Sequence, residues 1–237
     1  ADKISLEDKV VTYLPSFKGK QKEYFDHKSR VTIRHLMTHT SGLPPFKKYF
    51  LMDNNIQTRL DSVMNTEPEI GLNQTTIYSD VGLIVLGKVI ESVSKNSLDD
   101  FVDSVIFEPL GLKSSFYNPP NEKNKRVIPT EFSELYGELI KGYVHDENAK
   151  SIGGVAGHAG LFSTASDLAV FSQMMLNGGI YGWKRIFKSE TINDFTKRAN
   201  LIDGSSRALG WDTPSGKASG GVYLSESSFG HTGFTGT

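Results

Sequence analysis

The chain has 237 residues, 38% of them hydrophobic and 22% charged, so it can bury a sizeable core and does not have the composition of a disordered chain. Its formal net charge of -1, from 26 basic and 27 acidic residues, gives no electrostatic reason to expect nucleic acid or an anionic membrane as a partner. The absence of cysteine excludes disulfides, thiolate metal sites and a cysteine nucleophile, and no apolar run is long enough to span a bilayer.

Helix signals begin close to the N-terminus. Residues 5–8 read Ser-Leu-Glu-Asp, which is a capping-box pattern, and an apolar face follows until Pro15, so a helix is predicted here. Residues 32–43 are predicted to form a second short helix that ends at Gly42.

Two histidines in that second helix, His35 and His39, are four residues apart, a spacing that two metal ligands on one helical face can have. No third ligand is evident beside them in the sequence. We therefore favour the interpretation that they pack and hydrogen-bond to the following turn, and we predict no metal.

Helix signals dominate the middle of the chain. Residues 44–76 mix aromatic with polar side chains and suit a helical lobe or a lid over a cleft. Residues 81–93 have one apolar helical face. A further helix is predicted from a cap at Ser97 to a stop at Pro109 and Gly111.

The last third combines helices with predicted strands. Residues 153–160 are rich in glycine but lack the Lys-Ser/Thr of a phosphate-binding loop, and they lead into a capped helix that closes at Gly178. Ser189 begins another short helix. Residues 207–211 and 228–232 are predicted to be strands, separated by a Gly/Ser-rich loop at 215–221.

Two short motifs, far apart in the chain, have the residue types of a catalytic cleft. Tyr78 and Asp80 precede an apolar helix and, with one residue between them, can direct a phenol and a carboxylate to the same side. Residues 230–233 read Gly-His-Thr-Gly and offer a ring nitrogen, a hydroxyl and a backbone that a ligand can approach closely.

Together these motifs resemble those of the serine hydrolases related to class C β-lactamases, esterases and penicillin-binding proteins, in which Tyr-x-Asn/Asp is followed much later by Lys/His-Thr-Gly. The Thr-His-Thr-Ser-Gly-Leu run at 38–43 and the Ser-Thr-x-x-Asp-Leu-Ala run at 163–169 are similar to the same family. The stretches at 129–131, 144–149 and 157–160 look like the version found in bacterial envelope proteins, which some relatives carry fused behind a family 3 glycoside hydrolase domain.

The resemblance implies an α+β, β-lactamase/transpeptidase-like fold: an antiparallel sheet flanked by helices, a mostly helical lobe at roughly 31–150, and a cleft between them. It also implies that residues 1–237 are one partial domain, with the nucleophile segment and the last strands of the sheet outside it. A periplasmic or cell-envelope location, a small-molecule or peptidoglycan-like peptide substrate and no cofactor are expected on the same grounds.

The resemblance assigns a role to each motif residue. Tyr78 is the expected catalytic base or proton shuttle, which requires a nearby cation because a free tyrosine titrates near pH 10. The expected substrate-binding residues are Asp80, His231, Thr232, Gly233, Phe234 and His158. The backbone N–H of Phe234 is expected to form half of an oxyanion hole, and His158 has the alternative interpretation of a structural turn histidine.

Two residues depart from the commoner family pattern. Asp80 stands where Asn is usual, which puts lactam recognition in question. His231 stands where β-lactamases have Lys, and a mostly neutral imidazole attracts a carboxylate more weakly than a lysine. This change favours the esterase, D-aminopeptidase or carboxypeptidase branches over antibiotic hydrolysis.

The family's third element, Ser-x-x-Lys with the nucleophile, is expected upstream of Tyr78 and is not found there. Ser92 and Lys95 match the pattern literally but lie at the tail of the helix that follows Tyr78, so we do not interpret Ser92 as the nucleophile. Two hypotheses follow: part of a serine hydrolase that is inactive without its upstream segment, or a domain without a nucleophile that binds cell-wall fragments.

Overall fold

A computed structural model describes residues 3–19, 21–52, 55–124, 126–215 and 223–235. Most of the predicted 215–221 loop therefore lies outside the described residues. A 3-10 turn at Tyr49–Leu51 and a π-helical segment at Asp103–Phe107 accompany the α-helices. The α-helices are α1 (Val10–Tyr13), α2 (Lys22–Lys28), α3 (Ile33–Met37), α4 (Ile56–Met64), α5 (Asp80–Ser94), α6 (Leu98–Val102), α7 (Glu108–Leu110), α8 (Asn121–Asn124), α9 (Glu147–Ser151), α10 (Ala165–Leu176) and α11 (Ser189–Thr196).

The strands are short and pair in antiparallel ladders of two. The strands are β1 (Phe116–Tyr117), β2 (Phe132–Ser133), β3 (Glu138–Leu139), β4 (Leu161–Phe162), β5 (Ile180–Tyr181) and β6 (Lys184–Arg185). They pair as β1 with β4, β2 with β3 and β5 with β6. The mixture of helices with small antiparallel sheets confirms the α+β class.

The prediction of strands at 207–211 and 228–232 is wrong for the described residues. Both segments make only single bridges, one between Arg207 and Asp212 and one between Asp212 and Gly230. The chain reverses at Gly210, whose φ of 77° is in the left-handed region, and Ala208 N–H donates across this turn to the Trp211 carbonyl.

Helix α5 is the centre of the larger core. Ser79 caps its first turn, and Lys95, with φ of 64°, ends it in a left-handed conformation. Its buried face packs against α1, α3, α4 and α6. The fully buried side chains of this core include Val10, Phe17, Val31, Leu36, Val63, Val85 and Val89.

A second, smaller core lies between the α6–α7 region and the last helices. Its buried members are Phe107, Leu110, Leu112, Met174, Met175 and Ile192. Pro109 lies within α7 and does not end it. The helix ends at Gly111, which has φ of 73°. The predicted helix that closes at Gly178 is confirmed as α10, and the predicted helix that begins at Ser189 is confirmed as α11.

Two predicted helix boundaries near the N-terminus are wrong. Residues 5–8 form a turn in which the Asp8 carboxylate accepts from Ser5 N–H, and the helix starts only at Val10. Helix α3 ends at Met37 rather than at Gly42, because His39 adopts φ of 57° and turns the chain away.

The glycine-rich stretch 153–160 packs directly on α5. A Cβ at Gly157 would lie 2.1 Å from the Leu83 carbonyl oxygen, so only glycine permits this approach. The contact brings the following residue, His158, beside the N-terminal turns of α5. Among the described residues, no helix combines the length and apolar character that crossing a membrane requires.

Candidate active site

Tyr78 and Asp80 lie on the same side of the start of α5, because the residue between them is buried, and we call the surface that they share with His231 the cleft. Ser79 is 1% exposed, and its hydroxyl donates to the Pro44 carbonyl at 2.7 Å and accepts from Gly82 N–H at 3.0 Å. The Asp80 N–H donates to the Pro45 carbonyl at 2.9 Å. Tyr78 keeps 39% of its surface exposed.

His39 lies directly behind Tyr78. The two rings are 4.8 Å apart between centroids. The His39 carbonyl accepts from Ile77 N–H at 2.9 Å, and its Nδ1 accepts from Ser79 N–H at 3.1 Å. His39 therefore binds the backbone on both sides of Tyr78, a role that the sequence predicted only as hydrogen bonding to the following turn.

The distant Gly-His-Thr-Gly motif comes to the same place. The His231 ring is 5.6 Å from the Tyr78 ring, so the predicted convergence of the two motifs is present. Two backbone hydrogen bonds hold the motif, from Asp212 N–H to the Gly230 carbonyl at 2.7 Å and from Gly230 N–H to the Asp212 carbonyl at 3.0 Å.

Arg207 links this motif to Tyr78 and was missed in the sequence. Its Nη1 is 3.2 Å from His231 Nε2 and 3.1 Å from Asp212 Oδ2, and its guanidinium carbon is 5.5 Å from the centre of the Tyr78 ring. His231 Nδ1 is 2.8 Å from the Thr232 carbonyl. With Nδ1–H donating there and Nε2 accepting from Arg207, the imidazole fits its neutral form.

The remaining predicted residues of this motif are exposed. Thr232, Gly233 and Phe234 lie on the surface, and Phe234 is 91% exposed. The Phe234 ring meets the His145 ring edge-on at 5.5 Å. His145 Nε2 is in turn 2.9 Å from a Glu131 carboxylate oxygen. The oxyanion-hole role of Phe234 N–H stays a prediction.

An acidic cluster with one histidine adjoins Asp80. His158 Nε2 lies 2.9 Å from Asp146 Oδ1, and the same oxygen accepts from Ala149 N–H at 2.7 Å. The His158 side chain is only 2% exposed, so its contact with substrate stays a prediction and its observed partner is Asp146.

Among the described residues, Asp80, Asp146 and His158 form a group whose chemistry suits a cation. One ligand atom from each lies within 4.8 Å of the other two. His158 Nε2 already bonds to Asp146, so the cluster satisfies part of its own charge without a metal. His35 does not join His39 in a metal site: its Nδ1 accepts from Thr32 N–H at 3.0 Å and its Nε2 is 3.0 Å from the Asn73 side-chain nitrogen.

The surroundings of Tyr78, Asp80 and Asp146 shift the pKa values of these three side chains. Burial, followed by the Asp80 carboxylate, raises the pKa of Tyr78, although Arg207 opposes the change. Burial also raises the pKa of Asp80, with a contribution from Asp146. For Asp146, burial acts in the same direction, but hydrogen bonds from His158 and from backbone N–H groups outweigh it, so the pKa of Asp146 is lowered.

His39 is held neutral. Its burial, together with the positive charge of Arg207 and the proximity of His231, lowers the pKa of His39 to about 3. This agrees with Nδ1 as an unprotonated acceptor for Ser79 N–H.

Ser92 is distant from these groups. It lies twelve residues beyond Asp80 on α5, about 18 Å along the axis at 1.5 Å per residue. Its hydroxyl donates to the Tyr13 carbonyl at 2.9 Å. Within the described residues, the literal Ser-x-x-Lys match is therefore a helix-packing contact.

Comparison with known proteins shows the family of the chain. A family model described as Beta-lactamase matches residues 1–237. Proteins from Salmonella typhi and Salmonella typhimurium, provisionally named D-alanyl-D-alanine carboxypeptidase, are 35% identical over 99% of the chain. The chain spans 60% of the length of these relatives.

Solved structures agree on the fold. A penicillin-binding protein homologue from Caulobacter crescentus superposes with a TM-score of 0.69 at 16% identity, over 98% of this chain and 66% of that one. A β-lactamase/D-alanine carboxypeptidase from Pseudomonas syringae gives 0.66 at 18% identity, over 91% of this chain and 55% of that one. On the family match and the 35% identity, this chain belongs to the β-lactamase family.

Proposed function

We propose that this chain supplies the tyrosine and the substrate-binding edge of a serine hydrolase that cleaves an ester, an amide or a D-amino-acid peptide through an acyl-enzyme. The observation that carries the proposal is the proximity of Tyr78 to both Asp80 and His231, with ring centroids of Tyr78 and His231 5.6 Å apart. Membership of the β-lactamase family supports the reaction class.

In this proposal the serine nucleophile and its lysine belong to a Ser-x-x-Lys segment outside the 237 residues. The serine hydroxyl gives its proton to the Tyr78 oxygen as it attacks the substrate carbonyl. The negative charge that forms on the carbonyl oxygen is bound by Phe234 N–H and by the N–H of the nucleophile. Tyr78 then returns the proton to the leaving group, and water repeats the sequence on the acyl-enzyme.

The acidity of Tyr78 supports the need for that lysine. Burial and Asp80 raise the pKa of Tyr78, so the phenol stays protonated unless a further cation compensates. Arg207 acts to lower the pKa of Tyr78, but its guanidinium also pairs with Asp212. Asp80 lies where it can hold a lysine ammonium next to the phenol. We therefore expect no turnover from the 237-residue polypeptide alone.

The exposed segment at 231–233 defines the proposed substrate. His231-Thr232-Gly233 would pair with an extended substrate backbone. A neutral His231 gives weaker carboxylate attraction than lysine, but Arg207, 3.2 Å from it, adds a permanent positive charge. A peptidoglycan-like peptide in the bacterial envelope fits this arrangement and the names of the Salmonella relatives. Nucleic acid and cofactors have no part in it.

The proposal also covers domain organisation. Residues 1–237 would form part of one hydrolase domain, with the helical lobe at roughly 31–150 on one side of the cleft. The alternative is a domain that has no nucleophile and binds cell-wall fragments.

The deciding experiment treats the longer natural polypeptide with a fluorophosphonate or penicillin probe and maps the adduct by mass spectrometry. We expect one labelled serine in a Ser-x-x-Lys segment upstream of Tyr78, ester hydrolysis by that polypeptide, and none by the 237-residue chain. If no serine is labelled while peptidoglycan fragments still bind, the binding-domain alternative replaces the hydrolase. Hydrolysis by the 237-residue chain would refute the need for an upstream nucleophile.

A further inference from the structure

We propose that His39 is a positioning residue for Tyr78, holding the backbone on either side of the tyrosine so that the phenol stays at the cleft. The inference rests on the proposed function, in that Tyr78 is taken to transfer the proton. His39 itself would neither touch substrate nor carry a proton.

The contacts of His39 are arranged around a single residue. The His39 carbonyl accepts from Ile77 N–H at 2.9 Å, and Nδ1 accepts from Ser79 N–H at 3.1 Å. These donors are the residues immediately before and after Tyr78. The His39 ring lies 4.8 Å from the Tyr78 ring, so it also limits where the phenol can go.

The backbone of His39 is adapted to this task. Its φ of 57° is in the left-handed region, which is uncommon for a residue with a side chain, and it turns the chain out of α3. The turn brings both the carbonyl and the ring of one residue to the 77–79 segment. His39 is 2% exposed, so its side chain is confined by its neighbours.

The electrostatic surroundings keep Nδ1 available as an acceptor. Burial of His39 disfavours a charge on its ring, and the permanent positive charge of Arg207 acts in the same direction. A protonated Nδ1 could not accept from Ser79 N–H, so a neutral ring is a condition of the arrangement. His35, on the same segment, makes a different contact: its Nδ1 accepts from the N–H of Thr32, the N-cap residue of α3.

Kinetics on the longer polypeptide that hydrolyses esters can test this inference. Glycine and asparagine both tolerate φ near 57°, so H39G and H39N keep the turn, but only asparagine offers an oxygen to Ser79 N–H. We expect H39G to lower kcat about 10- to 100-fold with KM unchanged, because the phenol is misplaced, and H39N to restore most of it. His35→Asn, the matched control, should leave kcat unchanged.

Three kinetic results would overturn the inference: H39G turning over like the wild type, H39G raising KM alone, or a folded H39N as slow as H39G. Circular dichroism of each variant separates these results from misfolding.

A second measurement does not depend on activity or on any variant folding. Nitrogen NMR of the histidine rings in the 237-residue chain should show His39 Nδ1 unprotonated and hydrogen-bonded from pH 8 down to pH 5. A His39 that titrates near pH 6.5, or that carries its proton on Nδ1, contradicts the inference. If the longer polypeptide hydrolyses nothing, the proposed function fails while this result still stands.

Discussion

The two sides of the cleft are built differently. On one side, Tyr78 and Asp80 lie at the start of α5, and the buried residues Ser79 and His39 fix them against the larger core. On the other side, His231 lies on an exposed segment that two backbone hydrogen bonds to Asp212 and the Arg207 side chain hold in place.

This difference separates stability from recognition. Damage to the α5 side should unfold the protein or misplace the phenol, because many buried contacts depend on it. Damage to the His231 side should leave the fold intact and change substrate binding.

Tyr78→Phe in the longer polypeptide should lower kcat by about 10²- to 10⁴-fold, the usual contribution of a positioned proton-transfer group. The ring and its packing remain, so the free energy of unfolding should hardly change. Tyr181→Phe, at a half-exposed tyrosine of β5, is the matched control. Ester-hydrolysis kinetics and urea denaturation measure both effects, and an unchanged kcat in Tyr78→Phe would remove the tyrosine from the mechanism.

Lys28→Met should destabilise the α5 side by about 1–3 kcal/mol, the cost of leaving buried acceptors without a donor. Lys28 is fully buried, and its Nζ donates to the Met64 carbonyl at 2.5 Å and to the Thr66 carbonyl at 3.0 Å. Urea denaturation of the 237-residue chain measures the loss. Lys18→Met, at an exposed lysine, should be as stable as the wild type. Equal stability of the two variants would show that the buried hydrogen bonds of Lys28 do not contribute to the free energy of unfolding.

Arg207→Gln should act on recognition instead. We expect KM for a substrate with a free carboxylate to rise about tenfold, about 1.4 kcal/mol of binding free energy, because the permanent charge beside His231 is lost. The unfolding free energy should fall by less than about 1 kcal/mol, as for other partly exposed ion pairs. Arg30→Gln, at an exposed arginine away from the cleft, controls for charge; a KM unchanged in Arg207→Gln contradicts the role given to Arg207.

His39 should make stability depend on pH. Its pKa is about 3 in the folded chain and near 6.5 when unfolded, so between these values the unfolded state binds the extra proton. Stability from this group is therefore complete above pH 6.5 and falls as the pH drops, by at most about 1.4 kcal/mol per pH unit. Urea denaturation of the wild type and of H39N at pH 7 and at pH 5 isolates the effect. If the free energy of unfolding changes equally with pH in both proteins, His39 binds its proton equally well in the folded and the unfolded state, which contradicts the prediction.

How far the sequence predicts this site depends on which contacts are local. The shared direction of Tyr78 and Asp80 follows from one buried cap between them, so a local pattern was enough to predict it. The family motifs predicted the approach of His231. The pairing of Asp146 with His158 and the placement of Arg207 depend on contacts between distant segments, for which no periodicity gives a signal.

Local patterns also misled where a single residue changed the backbone. The apolar spacing at 32–43 predicts a helix to Gly42, but His39 takes a left-handed conformation and ends it early. At 207–211 the apolar and aromatic residues predict a strand, but Gly210 reverses the chain. In both cases a positive φ, which the sequence pattern does not reveal, decides the structure.

The most direct test compares the rate of covalent labelling by a fluorophosphonate probe in the longer polypeptide and in its Tyr78→Phe variant, with the labelled peptide identified in each. The account predicts a single labelled serine in a Ser-x-x-Lys segment outside residues 1–237, labelled at least about 100-fold more slowly without the Tyr78 hydroxyl. Labelling of Ser92, or labelling that is equally fast in both proteins, would contradict it.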